Sequence, residues 1–215
     1  STPKPSSAAS DVYKRQIQSR LKTKWVAHPL QFFDSIDSTN IRAKLEAEQG
    51  AKSGLLVVSD MQSAGRGRRG RSWESPAGTN IYYTLMLKPD FSSDCAPMLT
   101  LVMALAVAKG IRQTLRCDSE EAAAKVGIKW PNDIVVDGKK VCGILTEMSM
   151  EQGYIQHIVI GVGINVRKQE FPEEIRDRAA AIDEQCGFRI SRSQLIADIM
   201  EAFEEDYEIF LRTHD

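Results

Sequence analysis

At 215 residues, 42% hydrophobic and 27% charged, the chain has ordinary globular composition and is long enough for one sizeable domain. Its 28 basic and 29 acidic residues nearly cancel to a net charge of −1, which excludes a global attraction to nucleic acid or membrane and makes any electrostatic site local. The longest apolar run, Ala96 to Ala108, falls short of the about 20 residues a bilayer span needs, and four scattered cysteines with three distant histidines argue against a disulfide framework or zinc site, so a reducing cytoplasm is expected.

In chain order, residues 1–16 are polar and without apolar periodicity; a disordered leader or the remnant of a fragment boundary is expected there. Residues 17–30 read as a basic connector carrying Leu21, Trp25 and Val26, and residues 31–213 as the folded unit. Asp37-Ser38-Thr39-Asn40 opens a helix that Gly50 closes. Leu55–Ser59 and Thr79–Leu87 read as strands flanking a loop, and Pro97 to about Leu115 as an apolar helix. Val126–Lys129 precedes a hairpin, Ile134–Val136 and Lys140–Met148, turned at Asp137-Gly138. Tyr154–Ile160 runs into Gly161-Val162-Gly163-Ile164-Asn165. Ser191 and Gln194 then fit a capping box before Leu195, Ile199, Phe203, Tyr207 and Phe210 at helical spacing. Strands cluster with short turns between them, so the expected fold is α+β with a mixed, largely antiparallel sheet backed by helices.

The sharpest feature is Gly65-Arg66-Gly67-Arg68-Arg69-Gly70-Arg71, with no acid between Met61 and Ser72. Glycine lets backbone approach a ligand, and arginine presents a planar fork to carboxylate or phosphate. Like charges this close repel, so the loop is expected to be mobile when empty and ordered by an anion. The plainer reading is a solvated basic turn. The run matches GxGxxG, but it leads through Trp73-Glu74-Ser75-Pro76 into a strand rather than a helix, which rules out a dinucleotide fingerprint. Neither a Walker motif nor kinase HRD and DFG motifs occur. A nucleic-acid patch stacking on Trp73, Tyr82 and Tyr83 stays open. Lys139 and Lys140, beyond the hairpin turn, are either hairpin-end charges or cations aimed into a cleft beside Cys142-Gly143.

Asp37–Asn40, Gln62–Arg71, Lys129-Trp130-Pro131-Asn132-Asp133, Lys139–Leu145 and Gly161–Asn165 stand in an order that resembles the biotin protein ligases, a likeness running from about Phe32 to Phe210. The resemblance implies the α+β fold shared with class II aminoacyl-tRNA synthetases. It implies an ATP-dependent ligase that forms biotinyl-5'-AMP and passes biotin to a lysine of a biotin carboxyl carrier domain. Lys140, Arg66, Arg68 and Asp133 would be catalytic. Ser38, Thr39, Gln62, Gly65, Arg66, Lys140 and Gly143 would hold biotin; Arg68, Arg71, Trp73, Lys129, Asn132 and Asn165 would hold ATP. Trp73 as plain core and Ser38 or Thr39 as plain helix caps are the structural alternatives. Mg²⁺ would arrive with ATP near Asp133, without a dedicated metal cage. The resemblance further implies a bacterial, cytoplasmic protein and leaves room for a homodimer. The N-terminal DNA-binding and C-terminal β-barrel domains of the family have no counterpart in these residues, so no DNA binding is expected. A lipoate or octanoate protein ligase of related fold is the enzymatic alternative.

Overall fold

The structure, a computed structural model, describes residues 8–213. Seven strands form one sheet in the order β1-β2-β3-β7-β6-β5-β4. They are β1 (Leu30–Ile36), β2 (Leu55–Gln62), β3 (Ile81–Leu87), β4 (Val126–Lys129), β5 (Asp133–Val136), β6 (Lys139–Glu151) and β7 (Tyr154–Ile164). β1 runs parallel to β2 and every other pairing is antiparallel, the mixed sheet expected from the sequence. The helices are α1 (Ala8–Arg20), α2 (Thr39–Glu48), α3 (Met98–Arg116), the short α4 (Glu120–Ala124) and α5 (Arg192–Thr213).

The sheet is covered unequally. On one face Leu56, Val58, Tyr83, Leu85, Ile160 and Val162 join the main core under α3 and α5. On the other, Leu55, Val57, Met86 and Val159 pack with Ala43 and Ala47 of α2. Because both faces are covered, β2 reads as an unbroken apolar run rather than an alternation. α2 is short, however: Gly161 lies under Asn40 at its start, while Gly143 and Gly163 of the same face lie beyond it.

Three expectations need correction. The folded part does not begin at residue 31: Ala8–Arg20 is helical, so the leader expected over 1–16 does not hold from residue 8 on, and residues 1–7 lie outside the described residues. Ile17 is fully buried, and Tyr13 packs edge-on to Phe32 at 5.2 Å with the Arg192 guanidinium 4.6 Å over its ring. These anchors at spacing four were too few to register as periodicity. The apolar stretch is also longer than read: Ser93–Arg116 has the length and hydropathy to cross a membrane, but Leu99, Met103, Val107 and Ile111 are buried in the main core. Third, the capping of α2 is not done by its own side chains, as described next.

Candidate active site

The uncharged end of the cleft is built at the start of α2. Ser38 takes an extended conformation, is 2% exposed, and makes no side-chain cap bond. The helix is capped from β2 instead: the amide and hydroxyl of Thr39 both donate to Gln62 Oε1, at 2.9 and 3.1 Å, and Gln62 Nε2 donates to Ser75 Oγ at 3.0 Å. Neither Ser38 nor Thr39 is therefore a plain cap. Thr84 Oγ1 lies 2.6 Å from Asn40 Oδ1 and 2.8 Å from Thr39 Oγ1, with one proton to share between them. Asn40 donates to Glu147 Oε2 at 2.8 Å and to the Leu145 carbonyl at 3.3 Å. A Cβ at Gly161 would stand 2.0 Å from Asn40 Oδ1, so only glycine admits this amide.

The cationic end is formed by the glycine–arginine segment, which is a small hairpin rather than an open coil. Trp73 donates to the Gly65 carbonyl at 2.9 Å and Gly67 to the Arg71 carbonyl at 2.7 Å, with Arg69 and Gly70 making the turn at φ of 57° and 73°. At Gly65 a Cβ would lie 2.3 Å from the Trp73 carbonyl. The hairpin folds its indole over the bare sheet: a Cβ at Gly163 or Gly143 would meet the Trp73 ring at 2.4 or 2.9 Å. The space these glycines leave is thus filled by Trp73, which lines the cleft and is no part of the core.

Each converging cation rests on an acceptor from the cleft wall. Arg66 lies 3.5 Å from Glu147, Arg68 donates to Asn132 Oδ1 at 2.9 Å, and Lys140 pairs with Asp133 at 2.8 Å. Lys140 also sits 5.4 Å above the Trp73 ring. Its direction comes from an irregularity in β6. Ile134 and Val135 are consecutive but pair with Cys142 and Lys140, which leaves Val141 as the extra residue of a bulge. In a regular strand Lys140 would share the core-facing side of Cys142; the bulge turns it into the cleft instead. Arg71, Lys129 and Asn165 line a wider outer cleft of about 970 Å³, which shares Arg68, Trp73, Asn132 and Lys140 with the inner pocket. Among the described residues no group of three or more His, Cys, Asp or Glu could hold a metal.

All the residues that the resemblance assigns to the site except Gly65, which shapes the hairpin base, line one of these two adjoining spaces, whereas Tyr82 and Tyr83 are buried and cannot offer a stacking patch to nucleic acid. The reading missed Asn40, Thr84, Glu147 and Lys44. Asn40 was inside a quoted motif. Thr84 interrupts the apolar stretch Ile81–Leu87, and Glu147 interrupts Ile144 to Met148. Lys44, half-buried on α2, gave no signal.

A family model described as the biotin/lipoate A/B protein ligase family matches residues 32–165. Over 201 residues the chain is 40% identical to the bifunctional ligase/repressor BirA of Bacillus subtilis, covering 93% of this chain and 59% of that protein. It is 42% identical over 130 residues to the biotin–[acetyl-CoA-carboxylase] ligase of Paracoccus denitrificans, covering 60% of this chain and 51% of the relative. Among solved structures, the biotin protein ligase of Aquifex aeolicus in complex with biotin and ATP superposes with a TM-score of 0.70 at 30% identity, over 86% of this chain and 72% of that one. The chain thus spans between half and three fifths of the length of these two curated relatives.

Proposed function

The chain belongs to the biotin/lipoate A/B protein ligase family, and we propose that it is the catalytic core of an ATP-dependent biotin protein ligase. The observation that carries this reading is the division of one cleft into an uncharged end (Ser38, Thr39, Gln62) and a cationic end (Arg66, Arg68, Lys140). A fused ureido ring needs donors and acceptors without charge, whereas its carboxylate tail needs cations. Trp73 Nε1, buried and without a hydrogen-bond partner among the described residues, is a further donor for a bound ligand.

In the proposed reaction, a biotin carboxylate oxygen attacks the α-phosphorus of ATP, giving biotinyl-5'-AMP and pyrophosphate. The ε-amine of a carrier-domain lysine then attacks the acyl carbon and AMP leaves with the bonding pair. Two anions must meet in the first step, so Arg66, Arg68 and Lys140 screen their repulsion and Lys140 meets the charge that develops. Arg71, Lys129, Asn132 and Asn165 serve the nucleotide in the outer cleft, and Trp73 packs on its base. Mg²⁺ brought with ATP would be held near a single carboxylate, Asp133, rather than in a protein cage, and would neutralise charge on the phosphates. A cytoplasmic setting fits the four free thiols, and a bacterial one fits the relatives in Bacillus subtilis and Paracoccus denitrificans; a part in binding duplex DNA finds no support in the net charge of −1. A homodimer is a further expectation, read out by sedimentation velocity.

The test is biotin-dependent exchange of pyrophosphate into ATP by the purified chain, beside thermal shifts with biotin, lipoate, ATP and single-stranded DNA. Exchange with biotin and a shift larger than lipoate gives are expected. A preference for lipoate would move the substrate to the other branch of the family, and stabilisation by DNA alone would refute the ligase reading.

A further inference from the structure

An acid stands at the edge of the pocket proposed to take an anionic substrate, bonded to Asn40 of its lining. Glu147 lies on the cleft side of β6, its side chain 22% exposed, and a bare carboxylate there would repel the ligand. Its contacts show how that cost is offset. Oε2 accepts from Asn40 at 2.8 Å, Oε1 accepts from Lys44 at 2.8 Å, and Arg66 NH1 stands 3.5 Å from the same Oε1. Two short bonds from α2 therefore fix the carboxylate, while the contact to Arg66 is an ion pair too long for a good hydrogen bond.

Arg66 is nearly half exposed, and Glu147 is the one side-chain partner it shows among the described residues. We propose that Glu147 is a positioning residue for Arg66: it holds the first arginine of the hairpin over the inner pocket and yields it to the substrate carboxylate, while Lys44 keeps the acid neutralised after the exchange. The identity of that carboxylate as biotin's rests on the reading above; the placing of Arg66 does not. Burial would raise the Glu147 carboxyl, but Lys44, Asn40 and Arg66 together hold it below the ordinary carboxylate range, so it is charged at neutral pH. A guanidinium kept over its target loses less rotamer freedom on binding than one recruited from solvent. Removal of the acid is thus expected to weaken substrate capture more than turnover.

Glu147→Gln keeps the size and the acceptor for Asn40 but removes the charge. It is expected to raise KM for biotin about tenfold with kcat little changed, and in an Arg66→Ala background to change KM by less than about twofold. An equal penalty in both backgrounds would show that Glu147 only supports Asn40 and the cleft floor, and would overturn the proposal. Hydrogen exchange of the ligand-free chain gives a second readout, independent of activity. Amides between Ser63 and Pro76 should exchange several-fold faster in Glu147→Gln and in Arg66→Ala, with no further gain in the double variant. Should the unmodified chain fail to exchange pyrophosphate, the ligase reading falls and the exchange measurement alone decides the contact. Unchanged loop exchange in Glu147→Gln would refute the positioning role.

Discussion

Lys140 reaches the cleft through one extra residue in its strand, and it waits there on Asp133 and above an indole ring. A cation fixed on a sheet meets charge that develops during reaction better than one on a surface loop. Lys140→Ala is accordingly expected to slow biotin-dependent pyrophosphate exchange on the order of 10²–10³-fold, far more than it weakens calorimetric biotin affinity. Near-normal exchange in this variant would mean that the central residue of the mechanism is wrongly assigned. The sequence marks Lys140 by its motif but does not show which way it points, since the bulge depends on how β6 pairs with β5. The same limit hides Glu147 and Thr84. Each is an ordinary polar residue in its own strand, and it acquires partners only when α2 is laid over the sheet.

The glycine–arginine hairpin carries most of the site's chemistry on very little packing. Its inner pocket is about 50 Å³, room for a water or two, so a bicyclic ligand requires the Trp73 ring or the hairpin to shift. Biotin should therefore change Trp73 fluorescence, a response lost in Trp73→Phe although Trp25 and Trp130 remain. Hydrogen exchange between Ser63 and Pro76 should slow when biotin and ATP are added together. Constant emission and exchange at saturating ligand would mean that the hairpin already stands in its bound form. Among the elements, long patterned ones were legible: β3, β7, α3 and the Asp137-Gly138 turn lie close to where the sequence puts them. α1 was not, because its stability comes from Tyr13 and Ile17 meeting distant partners rather than from a continuous apolar stripe. The hairpin was legible as a glycine–arginine loop but not as a folded one, because its bonds are backbone to backbone and leave no mark on residue choice beyond glycine.

Across the whole molecule, one acid is among the groups that tie the N-terminal segment to the last helix. Glu204 of α5, 7% exposed, accepts from the amides of Lys24, Trp25 and Val26 at 2.8 to 3.0 Å. Burial would raise its carboxyl, but these three amides and the charge of Lys24 outweigh that and hold it below its ordinary value of 4.5. The folded value lies under the unfolded one, so the stabilisation is complete above the ordinary value and is lost as pH falls through the folded one. Glu204→Gln should lower stability to urea by about 2 kcal/mol at neutral pH, with the gap to the unmodified chain narrowing as pH falls below the ordinary value of 4.5. A gap that stays constant would assign the effect to packing. The glycines of the cleft floor bear on a different matter, the redesign of ligand size. Pockets are usually enlarged by trimming the residues beneath the ligand, but Gly143, Gly161 and Gly163 have nothing left to trim. Room for a bulkier acid has to come from above, from Trp73 and the hairpin that carries it, so any gain in substrate range draws on the same ring proposed to pack on the nucleotide base.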